Sequence, residues 1–192
     1  LLLEADAAIN QASARGATPL YIACQNGHLE IARLLRDAGA SLNQAAEDGI
    51  TPLYIACKNG HLEVAALLLE AGAAVNQAAE DGVTPLLIAC QNGHLDIARL
   101  LRDAGASLNQ ATEDGATPLL VACEEGQLEC VRLLLEAGAA VDQAKDGGGT
   151  PLFIACYKGH VDIARLLLAA SAAADQAKVN GATPLFIACQ EG

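Results

Sequence analysis

The chain repeats a short motif at a constant interval of 33 residues, and this period constrains the fold more than any other feature. The tripeptide Thr-Pro-Leu recurs with no insertion between copies, beginning at Thr18, Thr51, Thr84, Thr117, Thr150 and Thr183. A period of this length is typical of small supersecondary units that cannot bury their apolar side chains alone. We therefore expect the units to stack around one continuous core.

The period divides the chain into five whole repeats with a partial repeat at each end. The whole repeats cover residues 15–47, 48–80, 81–113, 114–146 and 147–179. Residues 1–14 correspond to the end of a preceding repeat, and residues 180–192 to the start of a following one. We expect residues 1–192 to form a single array.

Each repeat carries the local signals of two short helices and a connecting loop. In the second repeat, Thr51 is placed to cap a helix whose first residue is Pro52. A second helix is predicted from about Leu62 to the residue before Gly72, because glycine favours the left-handed conformation that ends helices. The residues at 80–82, Glu-Asp-Gly, are typical of a tight turn.

This pattern closely resembles the ankyrin repeat family. Residues 48–76 match its motif almost throughout, with the sequence Asp-Gly-Ile-Thr-Pro-Leu-Tyr-Ile-Ala-Cys-Lys-Asn-Gly-His-Leu-Glu-Val-Ala-Ala-Leu-Leu-Leu-Glu-Ala-Gly-Ala-Ala-Val-Asn. The resemblance extends over essentially the whole chain. It implies an all-α solenoid of stacked helix-turn-helix units with short β-hairpin loops, and a concave groove that binds other proteins.

One position departs from the family in every repeat. The family usually has His three residues after the Thr, and this chain has larger apolar side chains there: Tyr21, Tyr54, Leu87, Leu120, Phe153 and Phe186. The column could form an aromatic platform for a ligand or pack between repeats. We favour packing, because aromatic rings stabilise proteins mainly through the area they bury.

The seven cysteines also follow the repeat. Six share one position, at Cys24, Cys57, Cys90, Cys123, Cys156 and Cys189, and Cys130 alone lies elsewhere. Equivalent atoms of stacked repeats should lie ~10 Å apart, beyond the ~7 Å between Cα atoms that a disulfide spans. The chain also lacks the Cys-x-x-Cys spacing of zinc sites. We expect seven buried thiols in a reducing compartment, which predicts a cytoplasmic protein.

The four histidines share one position as well, at His28, His61, His94 and His160. Metal binding or general-base catalysis requires groups that converge on one point, whereas these are distributed along the array. The family resemblance implies that each links the two helices of its repeat by hydrogen bonds. Neither a catalytic residue, nor a metal, nor a cofactor is expected, and the sequence does not predict an enzyme.

The charge balance limits the classes of partner. The chain has 11 basic and 23 acidic residues, a formal net charge of −12. This sign repels phosphate backbones and anionic lipids, so nucleic acids and membrane surfaces are poor partners. No apolar run approaches the ~20 residues that a membrane-spanning helix requires. A protein partner is expected.

The residues that vary between repeats lie at the hairpin tips and at the exposed end of the first helix. By resemblance these positions line the concave groove. The candidate partner-binding residues are Glu47, Asp48, Ile50, Lys58, Asn59, Glu80, Asp81, Val83, Gln91, Asn92, Glu113, Asp114, Glu124, Glu125, Asp146, Tyr157 and Lys158. The carboxylates among the tips either attract a basic segment or keep an apolar array soluble, and the sequence leaves both interpretations open.

Two functions remain in competition at this level. The first is a non-enzymatic protein-interaction scaffold, expected as a monomer or with end-to-end stacking of its partial repeats. The alternative is the targeting segment of a longer enzyme, channel or effector whose chemistry lies outside these residues.

A weak point in the stability of the array is expected where Asp6 and Ser171 occupy helix-end positions that are glycine in the other repeats.

Overall fold

The computed structural model describes residues 8–191, which form eleven α-helices in two layers. The first layer contains α1 (Pro19–Gln25), α3 (Pro52–Lys58), α5 (Pro85–Gln91), α7 (Pro118–Glu124), α9 (Pro151–Tyr157) and α11 (Pro184–Glu191). The second contains α2 (Leu29–Asp37), α4 (Leu62–Glu70), α6 (Leu95–Asp103), α8 (Leu128–Glu136) and α10 (Val161–Ala169). Each first-layer helix packs on the next, and consecutive helices form antiparallel pairs, as the sequence predicts. No strand occurs in residues 8–191.

The start of each first-layer helix confirms the capping prediction. The hydroxyl oxygen of Thr51 accepts a hydrogen bond from the backbone N–H of Tyr54 at 3.1 Å, and the other repeats make the same bond at 3.1–3.2 Å. Proline at the following position lacks the N–H that would otherwise be orphaned there. Because Thr51 is buried, this cap also satisfies a polar group in the core.

The turn between the paired helices favours glycine, as Gly93 illustrates. At Gly93 the backbone has φ +71°, a left-handed conformation that side chains disfavour. A Cβ atom added there would also lie 2.3 Å from Oε1 of Gln127, which reaches back from the next helix pair. A side chain at position 93 would therefore require Gln127 to move, in addition to the strained backbone conformation.

The core runs continuously from α1 to α10, with Leu53, Leu86, Leu119 and Leu152 fully buried along the first layer. The apolar column that follows each capping threonine is buried from Tyr21 to Phe153, which confirms packing between repeats. Its last member departs from this pattern: Phe186 on α11 is 60% exposed.

The cysteine prediction is correct for five of the seven residues. Cys24, Cys57, Cys90, Cys123 and Cys130 are buried, and burial raises the pKa of Cys24 to about 12. It is wrong for Cys189, which is exposed on α11, and for Cys156, which is only half-buried on α9. Both helices lie toward the same end of the array, where fewer neighbouring side chains cover the first layer.

Three of the histidines, His61, His94 and His160, link neighbouring helix pairs rather than the two helices of one pair. Nε2 of His61 lies 3.1 Å from the carbonyl oxygen of Gln25, and Nε2 of His94 lies 3.2 Å from that of Lys58. These carbonyls belong to the last turn of the preceding first-layer helix, where helix carbonyls lack an internal partner. The family resemblance implied that each histidine joins the two helices of its own repeat, and this expectation is wrong for these three. They instead bond to the preceding helix pair, and their role is structural.

A second ladder of polar bonds was not predicted. The carboxamide oxygen of Asn43 accepts a hydrogen bond from the backbone N–H of Ala74 at 2.9 Å, and Asn76 does the same for Ser107 at 2.8 Å. The side chains of Asn10, Asn109 and Asp142 accept the equivalent bond from the backbone N–H groups of Ser41, Ala140 and Ala173. The recurrence of Asn or Asp at this position in each repeat is the sequence signal that could have revealed it.

Ser171 has the unfavourable helix-end conformation that the sequence predicts. Its φ is +67°, and glycine occupies the equivalent position of the other described pairs. Asp6, predicted to share this defect, lies outside the described residues, as does the start of the first partial repeat. No helix within residues 8–191 combines the length and apolar character needed to cross a bilayer.

Candidate functional site

Six short loops, here called fingers, precede the first-layer helices. They comprise residues 13–17, 46–50, 79–83, 112–116, 145–149 and 178–182. Each finger is closed by one backbone hydrogen bond from its first residue to its last, such as Ala79 N–H to the Val83 carbonyl at 3.0 Å. A tight turn inside the finger uses residues with positive φ, including Gly82. One closing bond per finger explains why the predicted hairpins contain no extended strand.

Backbone hydrogen bonds join successive fingers into a row. The N–H of Glu80 donates to the carbonyl of Asp48 at 2.8 Å, and the N–H of Asp146 donates to that of Asp114 at 2.8 Å. Equivalent bonds of 3.1–3.4 Å join the remaining neighbours. The positions of the side chains on one finger are therefore fixed relative to the next, which a set of independent loops would not achieve.

The fingers and the first-layer helices line a common groove. The ammonium group of Lys145, on the fifth finger, lies 3.3 Å from a carboxylate oxygen of Glu124 at the end of α7. Lys178, on the sixth finger, lies over the ring of Phe153 on α9, 5.1 Å from its centroid. Toward the other end, a cavity of about 360 Å³ is lined by Tyr21 and Gln25 of α1 together with Glu47 of the second finger.

The predicted acidic tips occupy the exposed edge of this groove. All seven carboxylates are exposed, on four consecutive fingers: Glu47, Asp48, Glu80, Asp81, Glu113, Asp114 and Asp146. Among the described residues, none of the seven forms an ion pair. We call this set the acidic row. Within residues 8–191, no ion pair offsets the charge of the acidic row.

Two aspartates of the acidic row are held by local hydrogen bonds. Asp81 Oδ1 accepts from the backbone N–H of Val83 at 3.0 Å. Asp114 accepts from the hydroxyl of Thr112, and this bond, with the N–H of Ala116 and the charge of Lys145, lowers the pKa of the Asp114 carboxyl. Asp114 therefore stays ionised to lower pH than an ordinary aspartate.

The other predicted residues differ in how far contacts within the protein already occupy their side chains. Ile50 and Val83 are half-buried and pack against the core, so they support their fingers. The carboxamide nitrogens of Asn59 and Asn92 donate to the carbonyls of Gln25 and Lys58 at 2.8 and 2.9 Å. These two asparagines join neighbouring helix pairs through those donors.

The groove changes character beyond α7. Glu124 is paired with Lys145 at 3.3 Å and with Lys158 at 3.9 Å, so its charge is locally balanced, which the sequence did not reveal. Tyr157 and Lys158 are exposed next to this cluster, and Lys58, Gln91 and Glu125 occupy the equivalent ends of other first-layer helices. The groove therefore has an acidic section followed by a mixed section that contains lysines and a tyrosine.

The second-layer helices present a different surface. Arginines there pair with acids one helical turn away, as between Arg132 and Glu129 at 3.6 Å and between Arg165 and Asp162 at 3.4 Å. Two other arginines instead pair with the adjacent residue, Arg36 with Asp37 at 2.7 Å and Arg102 with Asp103 at 2.8 Å. Several carboxylates of this outer face are thus internally paired, in contrast to those of the acidic row.

These features define a class of protein. Stacked helix pairs that share one core, with a row of loops along one side, form a helical-repeat solenoid, a class of protein that generally binds its partners on its concave surface. Over the described part of the chain, no group of three His, Cys, Asp or Glu side chains is placed to hold a metal ion.

The comparison with protein families identifies the family. The model for ankyrin repeats (three copies) matches residues 1–79, 73–145 and 140–192. The chain therefore belongs to the ankyrin repeat family, whose repeats generally are protein–protein interaction modules. A search of curated proteins finds no match to the chain.

Proposed function

We propose that this protein is a non-enzymatic interaction scaffold that binds a basic segment of another protein in its groove. The observation that carries the proposal is the acidic row, a set of unpaired carboxylates on fingers joined by backbone hydrogen bonds. Several carboxylates of the outer face pair with arginines, whereas no ion pair of the described residues involves a member of the acidic row. Unpaired charge on a rigid support favours a partner of opposite charge.

The geometry favours an extended partner segment. The carboxylates are distributed one finger after another from residue 47 to residue 146, so a partner must follow the row to meet several of them. At physiological salt the screening length is ~8 Å, so each finger acts mainly on the partner group opposite it. The whole row nevertheless accelerates association when salt is low, because its potential reaches further.

A peptide probe tests this proposal. The probe is an extended synthetic peptide rich in Arg and Lys, compared with a peptide of the same length whose basic residues are replaced by Gln. We expect Asp48→Asn, Asp81→Asn and Asp114→Asn together to slow its association by about tenfold at low salt, with a smaller effect on dissociation. Asparagine can keep the turn hydrogen bonds and tolerates the φ of +62° at Asp48, so the fold should persist.

The matched control removes the same number of charges from the outer face. Glu63→Gln, Glu70→Gln and Asp96→Asn change exposed side chains on α4 and α6, away from the fingers. Stopped-flow association rates of both triple variants are measured over a range of salt concentrations. Equal slowing of both variants, or no slowing of either, would mean that the acidic row contributes only to solubility.

A further inference from the structure

Four asparagines of the chain are followed by glycine, and they lie in two different environments. Asn26, Asn59 and Asn92 each follow the last residue of a first-layer helix, whereas Asn180 lies at the tip of the sixth finger. An Asn-Gly pair loses ammonia spontaneously when the backbone nitrogen of the glycine attacks the side-chain carbonyl carbon, because glycine has no side chain to hinder this approach. The folded structure therefore decides which of the four pairs has the space to react.

The three helix-end pairs are covered by the next helix pair. Their glycines, at positions 27, 60 and 93, are half-buried. A Cβ atom added to any of these glycines would lie 2.3–2.9 Å from a side-chain atom of His61, His94 or Gln127. The carboxamide nitrogens of the three asparagines also donate hydrogen bonds at 2.8–2.9 Å. Reaction at these sites therefore requires this bond to break and the neighbouring side chain to move.

Neither restraint applies to Asn180 within the described residues. Asn180 and Gly181 are exposed, and a Cβ atom added to Gly181 would meet no atom within 4 Å. The backbone N–H of Ala182 donates to Oδ1 of Asn180 at 3.1 Å. Negative charge develops on that oxygen during the attack, and a donor there stabilises it. All four glycine N–H groups are hydrogen-bonded, at 2.8–3.4 Å, so this bond does not distinguish the sites.

We propose that Asn180 is a site of spontaneous deamidation and that the reaction adds a carboxylate to the sixth finger. The nitrogen of Gly181 bonds to Cγ of Asn180, and its proton leaves with the side-chain amino group as ammonia, so that a succinimide ring forms. Water then adds to one of the two ring carbonyls and breaks its bond to the nitrogen. Opening at Cγ gives aspartate, and opening at the backbone carbonyl gives isoaspartate. Each product carries one negative charge.

The third finger shows that an aspartate fits this position. Asp81 is the equivalent of Asn180 in that finger, and its Oδ1 accepts a hydrogen bond from the N–H of Val83 at 3.0 Å. The following glycines of the two fingers have nearly the same φ, +82° and +84°. Deamidation to aspartate therefore keeps the conformation of the finger. It extends the acidic row beyond Asp146 by one finger, and its effect on binding rests on the function proposed above.

Ageing of the whole folded chain tests the site. The protein is kept in warm, mildly alkaline buffer with a reductant, and samples are digested briefly and mapped by mass spectrometry, because replacement of the amino group by a hydroxyl changes the peptide mass. We expect Asn180 to be lost at least about tenfold faster than any of the other three, which requires a difference in opening free energy of only ~1.4 kcal/mol. In denaturing urea the four sites should react at similar rates, because the structure that distinguishes them is lost.

The proposal is overturned if Asn180 is not the fastest site in the folded protein, or if it is favoured as strongly in urea. Asn180→Ser checks the assignment, because its hydroxyl is a short acceptor that suits the turn. This variant should lose the fast deamidation and keep the slow reactions at the helix ends. Fast ammonia release that persists in Asn180→Ser would place the reaction elsewhere.

A second variant tests the consequence for the groove. Asn180→Asp reproduces one product, and at low salt it should bind the basic peptide about twofold faster than Asn180→Ser, the share of one charge in the tenfold change expected for three. Mass mapping involves no peptide, so a failure of the proposed function leaves the modification site standing. Equal association rates of the two variants, where the triple variant of the acidic row is slow, would overturn the extension of the row to the sixth finger.

Discussion

At the scale of single residues, Ser171 occupies a helix-end position that is glycine in the other described helix pairs. Its φ of +67° belongs to the left-handed region, which costs an L-residue roughly 1 kcal/mol relative to glycine. At the equivalent Gly138, with φ +85°, an added Cβ would meet no atom within 4 Å. Any cost of a side chain at Gly138 is therefore conformational and not steric.

Reciprocal substitutions test this explanation. Ser171→Gly should raise the free energy of unfolding by about 1 kcal/mol, and Gly138→Ser should lower it by a similar amount. Urea unfolding followed by circular dichroism measures both changes. If Ser171→Gly proves neutral while Gly138→Ser is costly, the Ser171 hydroxyl must compensate for its backbone conformation.

At the scale of elements, the stability of each first-layer helix depends on what covers it. Phe153 on α9 is 5% exposed and lies beneath Lys178, whereas Phe186 at the equivalent place on α11 is 60% exposed. Phe153→Ala should therefore destabilise the protein by about 3–5 kcal/mol, and Phe186→Ala by less than about 1 kcal/mol. Equilibrium unfolding of the two variants under identical conditions gives the comparison, and equal losses would contradict packing as the role of this column.

The buried cysteine column predicts loss of stability at alkaline pH. Burial raises the pKa of Cys24 to about 12 and raises those of Cys57 and Cys123 further. The folded state keeps these thiols protonated, whereas the unfolded chain releases the protons above ~8.5. Their contribution is complete below that pH and declines as the pH rises toward the folded values, because the unfolded state then binds fewer protons.

Urea unfolding from about pH 7 to about pH 10, in the presence of a reductant, measures this decline. Replacing one column member, as in Cys57→Ala, should make the free energy of unfolding less dependent on pH, whatever its effect at neutral pH. A slope unchanged by this substitution would assign the alkaline loss to other groups, such as Tyr54, whose pKa burial raises to about 12.

At the scale of the whole molecule, the sequence predicts the fold because each local signal agrees with the period. Threonine caps, the following prolines and the turn glycines each specify one step of the chain, and their recurrence specifies stacking. The contacts between helix pairs are not specified in this way. His61 reaches Gln25 and Lys145 reaches Glu124 only because of the rise and rotation from one pair to the next. The positions of the fingers were therefore predictable, and the neutralisation of Glu124 was not.

Stacking also predicts how stability is distributed along the array. Each helix pair contacts only its neighbours, so cooperativity passes from pair to pair, and helices with one uncovered side open most easily. Ile22 on α1 is 44% exposed, whereas its equivalent Ile55 on α3 is 5% exposed, and Leu185 on α11 is 72% exposed. In this 192-residue chain, the central helices α5 and α7 should therefore be the most stable.

Amide hydrogen exchange of the dilute protein provides the test. Protection should be highest in α5 and α7 and should fall toward α1 and α11, by tenfold in exchange rate for every ~1.4 kcal/mol of opening free energy lost. Repeating the measurement at high protein concentration separates local opening from end-to-end stacking, since stacking would protect α1 and α11 only when the protein is concentrated. Uniform protection from α1 to α11 in the dilute protein would instead mean that the array opens as one cooperative unit, in which the uncovered apolar side chains of the outer helices have no energetic consequence.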